Sequence, residues 1–246
     1  PHNIHFLWYS AMTEARKSLT IESAIRLKQK VPLDVAKGMG VLQSYLSAPI
    51  YTYLRFGMWK EILSLKPPSE DLPFALAIHY YGTGVASASL GDKTLAINSL
   101  SQLEKISASK KMGSVTIRFP GVRESLLDIA SSLVKASIER IDKNSEKEIL
   151  WLQKAVVTQD QLPYTEPPLW HYPVRQNLGT AQLRSGLAQN ALGTFTLDLK
   201  EFPKNPWSLF GLEQAELKSG ITNNSTRESR IDSWKNSDID PTTGWN

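Results

Sequence analysis

The sequence predicts an all-α protein, an α-solenoid of about six antiparallel helix pairs. Glycines recur 34 positions apart, at Gly57 and Gly91 and again at Gly186 and Gly220. Each ends one apolar-periodic run and precedes another, which is the pattern of a helix–turn–helix unit. The composition, 41% hydrophobic and 21% charged, is that of a packed protein. Because one helix pair cannot bury its apolar face alone, such pairs must stack.

The first half of the chain supplies three of these pairs. Helices near 2–15 and 20–31 form the first pair, which Pro32 closes. The second pair, LQSYLSAPIYTYLRFGMWKEIL, has its first helix broken at Pro49, because proline removes a backbone donor. The third pair turns at Gly91. Its GTGVAS stretch lies inside the first helix, where small residues allow a neighbouring helix to approach closely.

The second half supplies the remaining three pairs. Residues 122–160 form two amphipathic helices joined at DKNSE, and Asn144 stands where a left-handed glycine is expected. The fifth pair turns at Gly186 and ends at Pro203, and the sixth turns at Gly220. Together the six pairs predict a single domain over residues 1–236. The polar stretch 237–246 is expected to be a loosely ordered tail.

The fifth pair carries a specific residue pattern. It has a Leu-Gly pair, a turn glycine, a small residue, an aromatic residue and a closing proline, at Leu178, Gly179, Gly186, Ala191, Phe195 and Pro203. This pattern resembles the tetratricopeptide repeat, and the third and sixth pairs resemble it less fully. More loosely, the HNIHFLW and EPPLWHYPVR stretches are similar to those of larger, mostly bacterial tetratricopeptide-repeat proteins. That resemblance implies further repeats before Pro1.

The resemblance also implies a concave groove lined by the first helix of each pair. The groove positions carried over to this chain are Tyr81, Val85, Gln176, Thr180, Leu183, Trp207, Phe210 and Gln214. This lining is apolar and aromatic with two amides and one hydroxyl, and it includes no basic side chain. It suits an apolar or amphipathic protein or peptide segment better than a terminal carboxylate. The expected function is therefore a binding scaffold without catalysis, or a subunit of a larger assembly.

Composition narrows the possible partners. The net charge is +4, and the most basic stretch, residues 105–123, contains Phe119 as its one aromatic residue. Nucleic-acid binding needs more charge and more stacking surface, so no nucleic-acid partner is expected. No apolar run reaches the roughly 20 residues that span a bilayer. The sequence carries no nucleotide-binding motif and no cysteine, so no cofactor is expected, and it does not indicate a compartment.

Two groups of residues are candidates for chemistry. His2 and His5, spaced i, i+3 on a helix, are weak candidates for metal ligands, although packing histidines at a helix end are the simpler interpretation. In YTEPPLWHYPVRQNLG, residues 164–179, Glu166 would be an acid or base, His171 its partner and Arg175 an anion-binding group. These residues define the alternative function, a metal- or small-ligand-binding or hydrolytic protein whose site is completed by residues before Pro1.

The competing interpretation of the same stretch is a structural joint. Its prolines end the preceding helix, and Pro173 fits the first turn of the next helix. Trp170 and Tyr172 would then pack between repeats. Arg175 would pair with a carboxylate such as Glu166 or Asp160.

Overall fold

The computed structural model describes residues 1–242, and over that range the chain forms helices and no strand. The helices are α1 (His2–Thr13), α2 (Lys17–Gln29), α3 (Leu33–Gly38), α4 (Gly40–Leu46), α5 (Ala48–Arg55), α6 (Trp59–Ser64), α7 (Pro73–Ser89), α8 (Lys93–Ser107), α9 (Lys110–Gly113), α10 (Val122–Ile141), α11 (Ser145–Asp160), α12 (Arg175–Arg184), α13 (Ala188–Glu201), α14 (Pro206–Lys218) and α15 (Asn224–Trp234). The all-α prediction is confirmed. None of these helices is long and apolar enough to cross a bilayer.

Helices that follow one another along the chain pack together. The pairs α1 and α2, α7 and α8, α10 and α11, α12 and α13, and α14 and α15 are in contact, and α10 also packs on α7 and α8. The predicted turn glycines have left-handed φ angles of 65° at Gly57, 84° at Gly91, 76° at Gly186 and 74° at Gly220. Their role in the turns is therefore confirmed.

The structure differs from the sequence prediction in two regions, the second helix pair and the turn between α10 and α11. The second predicted pair is split into four short helices, α3 to α6, with Pro49 as the second residue of α5. Between α10 and α11 the left-handed residue is Lys143, at φ 56°, and the assignment of that conformation to Asn144 is wrong. Asn144 caps α11 instead, because its side chain accepts a hydrogen bond from the Lys147 amide.

Glycines inside the helices mark close approaches between neighbouring helices. A Cβ added at Gly82 would lie 2.5 Å from Ile50 Cγ2, and one at Gly84 would lie 2.8 Å from Val134 Cγ1. The glycines of the GTGVAS stretch therefore allow α7 to pack against α5 and α10, as the sequence predicted. They lie within a helix rather than in a phosphate-binding loop.

The first and last helices share a hydrophobic cluster. Ala15, which follows α1, packs with Phe56, Trp207 of α14 and Trp234 of α15. The Trp207 indole also donates to the Met12 carbonyl oxygen at 3.4 Å. These contacts join residues that are almost 200 positions apart along the chain.

The segment after α15 contacts the start of α2. The Asp238 carboxylate accepts hydrogen bonds from the Lys17 amide at 2.5 Å and the Ser18 amide at 2.9 Å. The Ser237 hydroxyl donates to the Ala15 carbonyl oxygen at 3.1 Å. Residues 237–242 of the predicted tail thus include two anchored side chains, while residues 243–246 lie outside the described range.

Candidate functional site

A cavity, here called the central cavity, is lined by side chains from several helices, among them the first helices of three predicted pairs. It has a volume of about 70 Å³, and its walls come from α5, α6, α7, α10, α11, α12 and α14 together with Tyr172 from the connection before α12. Its lining includes five of the predicted groove residues, which are Tyr81, Val85, Gln176, Thr180 and Trp207. Each of the three pairs whose groove positions were predicted therefore contributes at least one of those positions to this cavity.

The other three predicted groove residues lie elsewhere. Leu183 packs with Ala191, Phe195 and Ala215 in a small core between α12, α13 and α14. Phe210 and Gln214 line a separate cleft of about 550 Å³ that also involves α15. They do not line the central cavity.

Most of the cavity wall is buried core. Tyr81 and Trp207 are each 1% exposed, whereas Val85 and Thr180 are half-buried. A water molecule needs roughly 10–15 Å³ of such volume, so about 70 Å³ accommodates a side chain or a chain end. An α-helix with its side chains is about 10–12 Å across and does not fit.

The cavity also contains basic side chains that the predicted lining lacked. Arg55 of α5, Arg140 of α10 and Arg184 of α12 all line it, and Glu148 is the one acidic residue among its described lining residues. Three guanidinium groups against one carboxylate leave a positive excess. The predicted groove lining covered only positions in repeat register, and the three arginines are not among those positions. The sequence signal for these basic residues was Arg55 itself, a lone charge within the apolar run IYTYLRFGMW.

Arg55 is buried without a charged partner. It is 8% exposed, and its guanidinium carbon lies 3.7 Å from the Trp207 ring centroid and 5.0 Å from that of Tyr172. Within residues 1–242, no carboxylate lies within 4.0 Å of it. Burial lowers the pKa of Arg55 to about 9, against the opposing influence of Tyr172 and Asp198, so the group is charged at neutral pH.

The other two arginines have partners. Arg184 donates to the Glu148 carboxylate at 2.5 Å, and Arg140 donates to the Ser89 hydroxyl at 3.0 Å. Burial lowers the pKa of Arg140, and the nearby positive charge of Arg184 lowers it further. The guanidinium groups of Arg140 and Arg184 thus have hydrogen-bond partners within the protein, whereas that of Arg55 has none among the described residues.

Two amide oxygens of residues that line the cavity together with Arg55 have no hydrogen-bond partner in the described part of the chain. They are Asn177 Oδ1 and Gln176 Oε1, both buried. The Gln176 amide nitrogen donates to the Ser208 hydroxyl at 2.9 Å and to Asn205 Oδ1 at 3.2 Å. A buried polar atom without a partner costs about 1–3 kcal/mol, so this wall favours an occupant that can donate hydrogen bonds.

Behind Gln176 lies a buried carboxyl group. Asp198 is fully buried and accepts a hydrogen bond from the Ser208 hydroxyl. Burial raises the pKa of Asp198 to about 6, although the hydrogen bonds from Ser208 and Gln176 act in the opposite direction. At neutral pH Asp198 is therefore largely ionised and acts on Arg55 from beyond 4.0 Å, while its Oδ2 atom accepts hydrogen bonds from Ser208 and Gln176.

The three candidate residues of the proline-rich stretch do not meet. Glu166 accepts a hydrogen bond from the Tyr164 hydroxyl at the surface. Arg175 binds the Asp160 carboxylate with two hydrogen bonds, at 2.7 and 2.5 Å. His171 is buried, and its ring stacks on Tyr51 with centroids 4.0 Å apart. Neither of its ring nitrogens has a described partner, and burial lowers its pKa well below the ordinary value.

The stretch has the contacts of a structural joint. Trp170 is almost fully buried, and its ring lies 5.5 Å from that of Tyr81 and 6.1 Å from that of Tyr51. The Gln159 side chain of α11 accepts a hydrogen bond from the Val174 amide at 2.7 Å. Pro173 precedes the N-cap of α12 rather than lying in its first turn. The stretch thus closes the core between α11 and α12.

The two N-terminal histidines pack against aromatic rings. His5 lies 4.7 Å from the Tyr45 ring and 5.6 Å from that of Trp8, and His2 lies 4.9 Å from Phe6. Burial lowers the pKa of His5 to about 4. Residues 1–242 contain no group of three or more side chains placed to hold a metal ion.

Comparisons of this chain with protein-family models, with curated proteins and with solved structures find no match. The resemblance to the tetratricopeptide repeat therefore depends on residue spacing within the sequence. A functional proposal has to come from the geometry of the cavity.

Proposed function

We propose that this chain is a tetratricopeptide-like solenoid that serves as a protein- or peptide-binding scaffold without catalysis of its own. One observation supports this function above the others. Five residues assigned to a groove by repeat spacing, from α7, α12 and α14, line the same cavity. Convergence of first helices on a concave space is the way in which stacked helix pairs form a binding surface.

The size of the cavity specifies the mode of binding. Because the walls are mostly buried and the volume is about 70 Å³, the partner inserts one side chain or one chain end. The aromatic surfaces of Trp59, Tyr81 and Trp207 would pack against the apolar part of the inserted group. An extended segment suits this geometry better than an amphipathic helix.

No specific observation favours the hydrolytic or metal-binding alternative. Arg175 is engaged with Asp160, Glu166 bonds Tyr164 at the surface, and His171 is enclosed by aromatic rings. General acid–base catalysis requires such groups within hydrogen-bond reach of a common substrate atom. These three side chains are turned to different partners.

Selection of binding peptides would test the proposed function. The full chain is used as bait for a library of displayed random peptides, and dissociation constants of enriched peptides are measured. Thr180→Phe fills the cavity with an aromatic ring. Thr158→Phe on α11 is the matched control, because Thr158, like Thr180, is half-buried and donates its hydroxyl to the carbonyl four residues earlier.

Peptides that depend on the cavity should bind the wild type and Thr158→Phe equally and bind Thr180→Phe at least tenfold more weakly, which corresponds to about 1.4 kcal/mol. Circular dichroism checks that both variants are folded. Failure to enrich any peptide, or equal binding by Thr180→Phe, would contradict the scaffold function.

A further inference from the structure

We propose that the central cavity contains an oxyanion-binding site in which Arg55 binds a carboxylate or phosphate group of the occupant. The proposal deepens the proposed function, on which it rests, by assigning a negative charge to the group that the partner inserts. It also extends the expected partner from an apolar or amphipathic segment to one with an acidic group.

The geometry of Arg55 leaves its donors free. Trp207 covers a face of the planar guanidinium at 3.7 Å, and within residues 1–242 no hydrogen-bond acceptor or carboxylate engages its nitrogens. Guanidinium presents five N–H donors in its plane, in a fork that matches the oxygens of a carboxylate or phosphate. Stacking on an indole fixes the orientation of this fork without using it.

In the described part of the chain, no carboxylate lies within 4.0 Å of Arg55, and Asp198 acts on it only from a longer distance. Glu148, the one acidic residue among the described residues of the cavity wall, is bonded to Arg184. Asp198 is engaged by Ser208 and Gln176. A buried charge without a partner is costly, and an anion from the occupant would remove that cost.

The neighbouring amides favour an occupant derived from an amino acid. Asn177 Oδ1 and Gln176 Oε1 are buried acceptors without a described partner and would accept an N–H group. A peptide carries an amide N–H close to each acidic group, whereas inorganic phosphate carries none. The observations therefore favour a peptide carboxylate as the source of the oxyanion. Tyr81 and Tyr172, each with a hydroxyl group, line the same cavity.

The test uses the full chain and small probes that fit the cavity. N-acetyl-L-glutamate, its neutral analogue N-acetyl-L-glutaminamide, in which both carboxyl groups are amides, and inorganic phosphate are titrated while the melting temperature and the heat of binding are recorded. Arg55→Met removes the charge and keeps an apolar group over Trp207. Arg26→Met is the control, since Arg26 is an exposed arginine of α2 outside the cavity.

N-acetyl-L-glutamate is expected to raise the melting temperature of the wild type and of Arg26→Met in a saturable way, with no shift from N-acetyl-L-glutaminamide. Arg55→Met should weaken binding at least tenfold and should melt no lower than the unliganded wild type, because the unpaired charge is gone. An Arg55-dependent response to phosphate alone would also support an oxyanion site and would identify phosphate as its ligand.

Two results would overturn the proposal. One is the absence of saturable binding of either anion to the wild type, and the other is equal binding by Arg55→Met. If Arg55→Met does not fold, Arg55→Lys replaces it, since a lysine ammonium keeps the charge but loses the two-pronged geometry and should bind several-fold more weakly. Equal binding by Arg55→Lys and wild type would then count against the proposal.

The outcome is separable from that of the scaffold proposal. Peptides that bind in a Thr180-dependent manner but are unaffected by Arg55→Met would leave the scaffold standing and refute the oxyanion site. Arg55-dependent anion binding without any enriched peptide would support the oxyanion site and contradict the scaffold function.

Discussion

At the scale of single residues, the buried carboxyl group of Asp198 makes the stability of the fold depend on pH. Because its pKa is raised to about 6 from the ordinary 3.8, the folded state binds its proton more tightly than the unfolded state. Its contribution to stability therefore decreases as pH rises between about 4 and 6. Above pH 6 the buried carboxylate is ionised, and its full destabilising effect on the folded state is present.

Replacing Asp198 by asparagine should remove this cost. The introduced side-chain amide would still accept from Ser208, and its nitrogen could donate to the free Gln176 Oε1. We expect Asp198→Asn to raise the free energy of unfolding by about 1–3 kcal/mol at pH 7.5 and to have little effect at pH 4. Chemical denaturation at the two pH values measures this difference. A pH-independent difference would show that Asp198 titrates normally.

His171 should have the opposite pH dependence. Burial lowers its pKa, so the folded state holds it neutral and its stabilising effect is present above about pH 6.5. That effect is lost as pH falls below 6.5, where the unfolded chain takes up the proton. His171→Phe keeps a ring against Tyr51 and cannot titrate, so its free energy of unfolding should exceed that of the wild type by a growing margin from pH 7 to pH 5. Parallel stability curves for the two proteins would refute this assignment.

Residue roles were predictable from sequence only where partners are close along the chain. The pairing of Arg175 with Asp160, 15 positions apart, agrees with one of the two partners that the proline-rich joint suggested. Arg55, in contrast, meets Trp207 and Tyr172, which belong to distant segments. Repeat spacing covers only the positions of the repeat pattern, and Arg55 falls outside them.

At the scale of elements, one glycine fixes the packing of α12 on α13. A Cβ at Gly179 would lie 2.6 Å from Phe195 Cε2, whereas one at Gly193 on α13 would meet nothing within 4 Å. Gly179→Ala should therefore lower the free energy of unfolding by about 1–3 kcal/mol through overpacking. Gly193→Ala should raise it by about 0.5–1 kcal/mol, because alanine favours the helix.

The two glycine variants form a matched pair for denaturant titration, since both add one methyl group to a helix of the same pair. Destabilisation by Gly193→Ala, or none by Gly179→Ala, would show that α12 and α13 pack differently. The close contact of α12 and α13 was predictable, because the Leu-Gly pair and the aromatic residue that make it are positions of the repeat pattern. It could not predict α3 to α6, where short helices and bends replace the regular pair.

At the scale of the whole molecule, the contact between the first and last helices has no local sequence signal. Trp207 and Trp234 pack with Ala15 and Phe56, and the Trp234 indole donates to the Pro206 carbonyl oxygen at 2.8 Å. Hydrophobic periodicity marks each of these residues as buried but does not say against what. Whether the two ends meet depends on the packing of all the helices between them.

Removing Trp234 should therefore weaken both ends of the chain. We expect Trp234→Ala to lower the free energy of unfolding by about 3–5 kcal/mol through the cavity that it leaves. Hydrogen exchange should then become faster in α15 and also in α1 and the first turn of α2. If faster exchange were confined to α14 and α15, the N-terminal helices would be stable without this contact.

The Asp238 cap on α2 has a consequence for how the chain reaches its native state. Contacts within a stack of helix pairs are local, and such proteins fold rapidly because little chain entropy is lost before each contact forms. The hydrogen bonds that Asp238 accepts from Lys17 and Ser18 join residues more than 200 positions apart, so the chain entropy lost on this closure exceeds that lost on forming any one helix pair. Docking of the C-terminal segment should thus be the slow final event of folding, and its release the first event of unfolding.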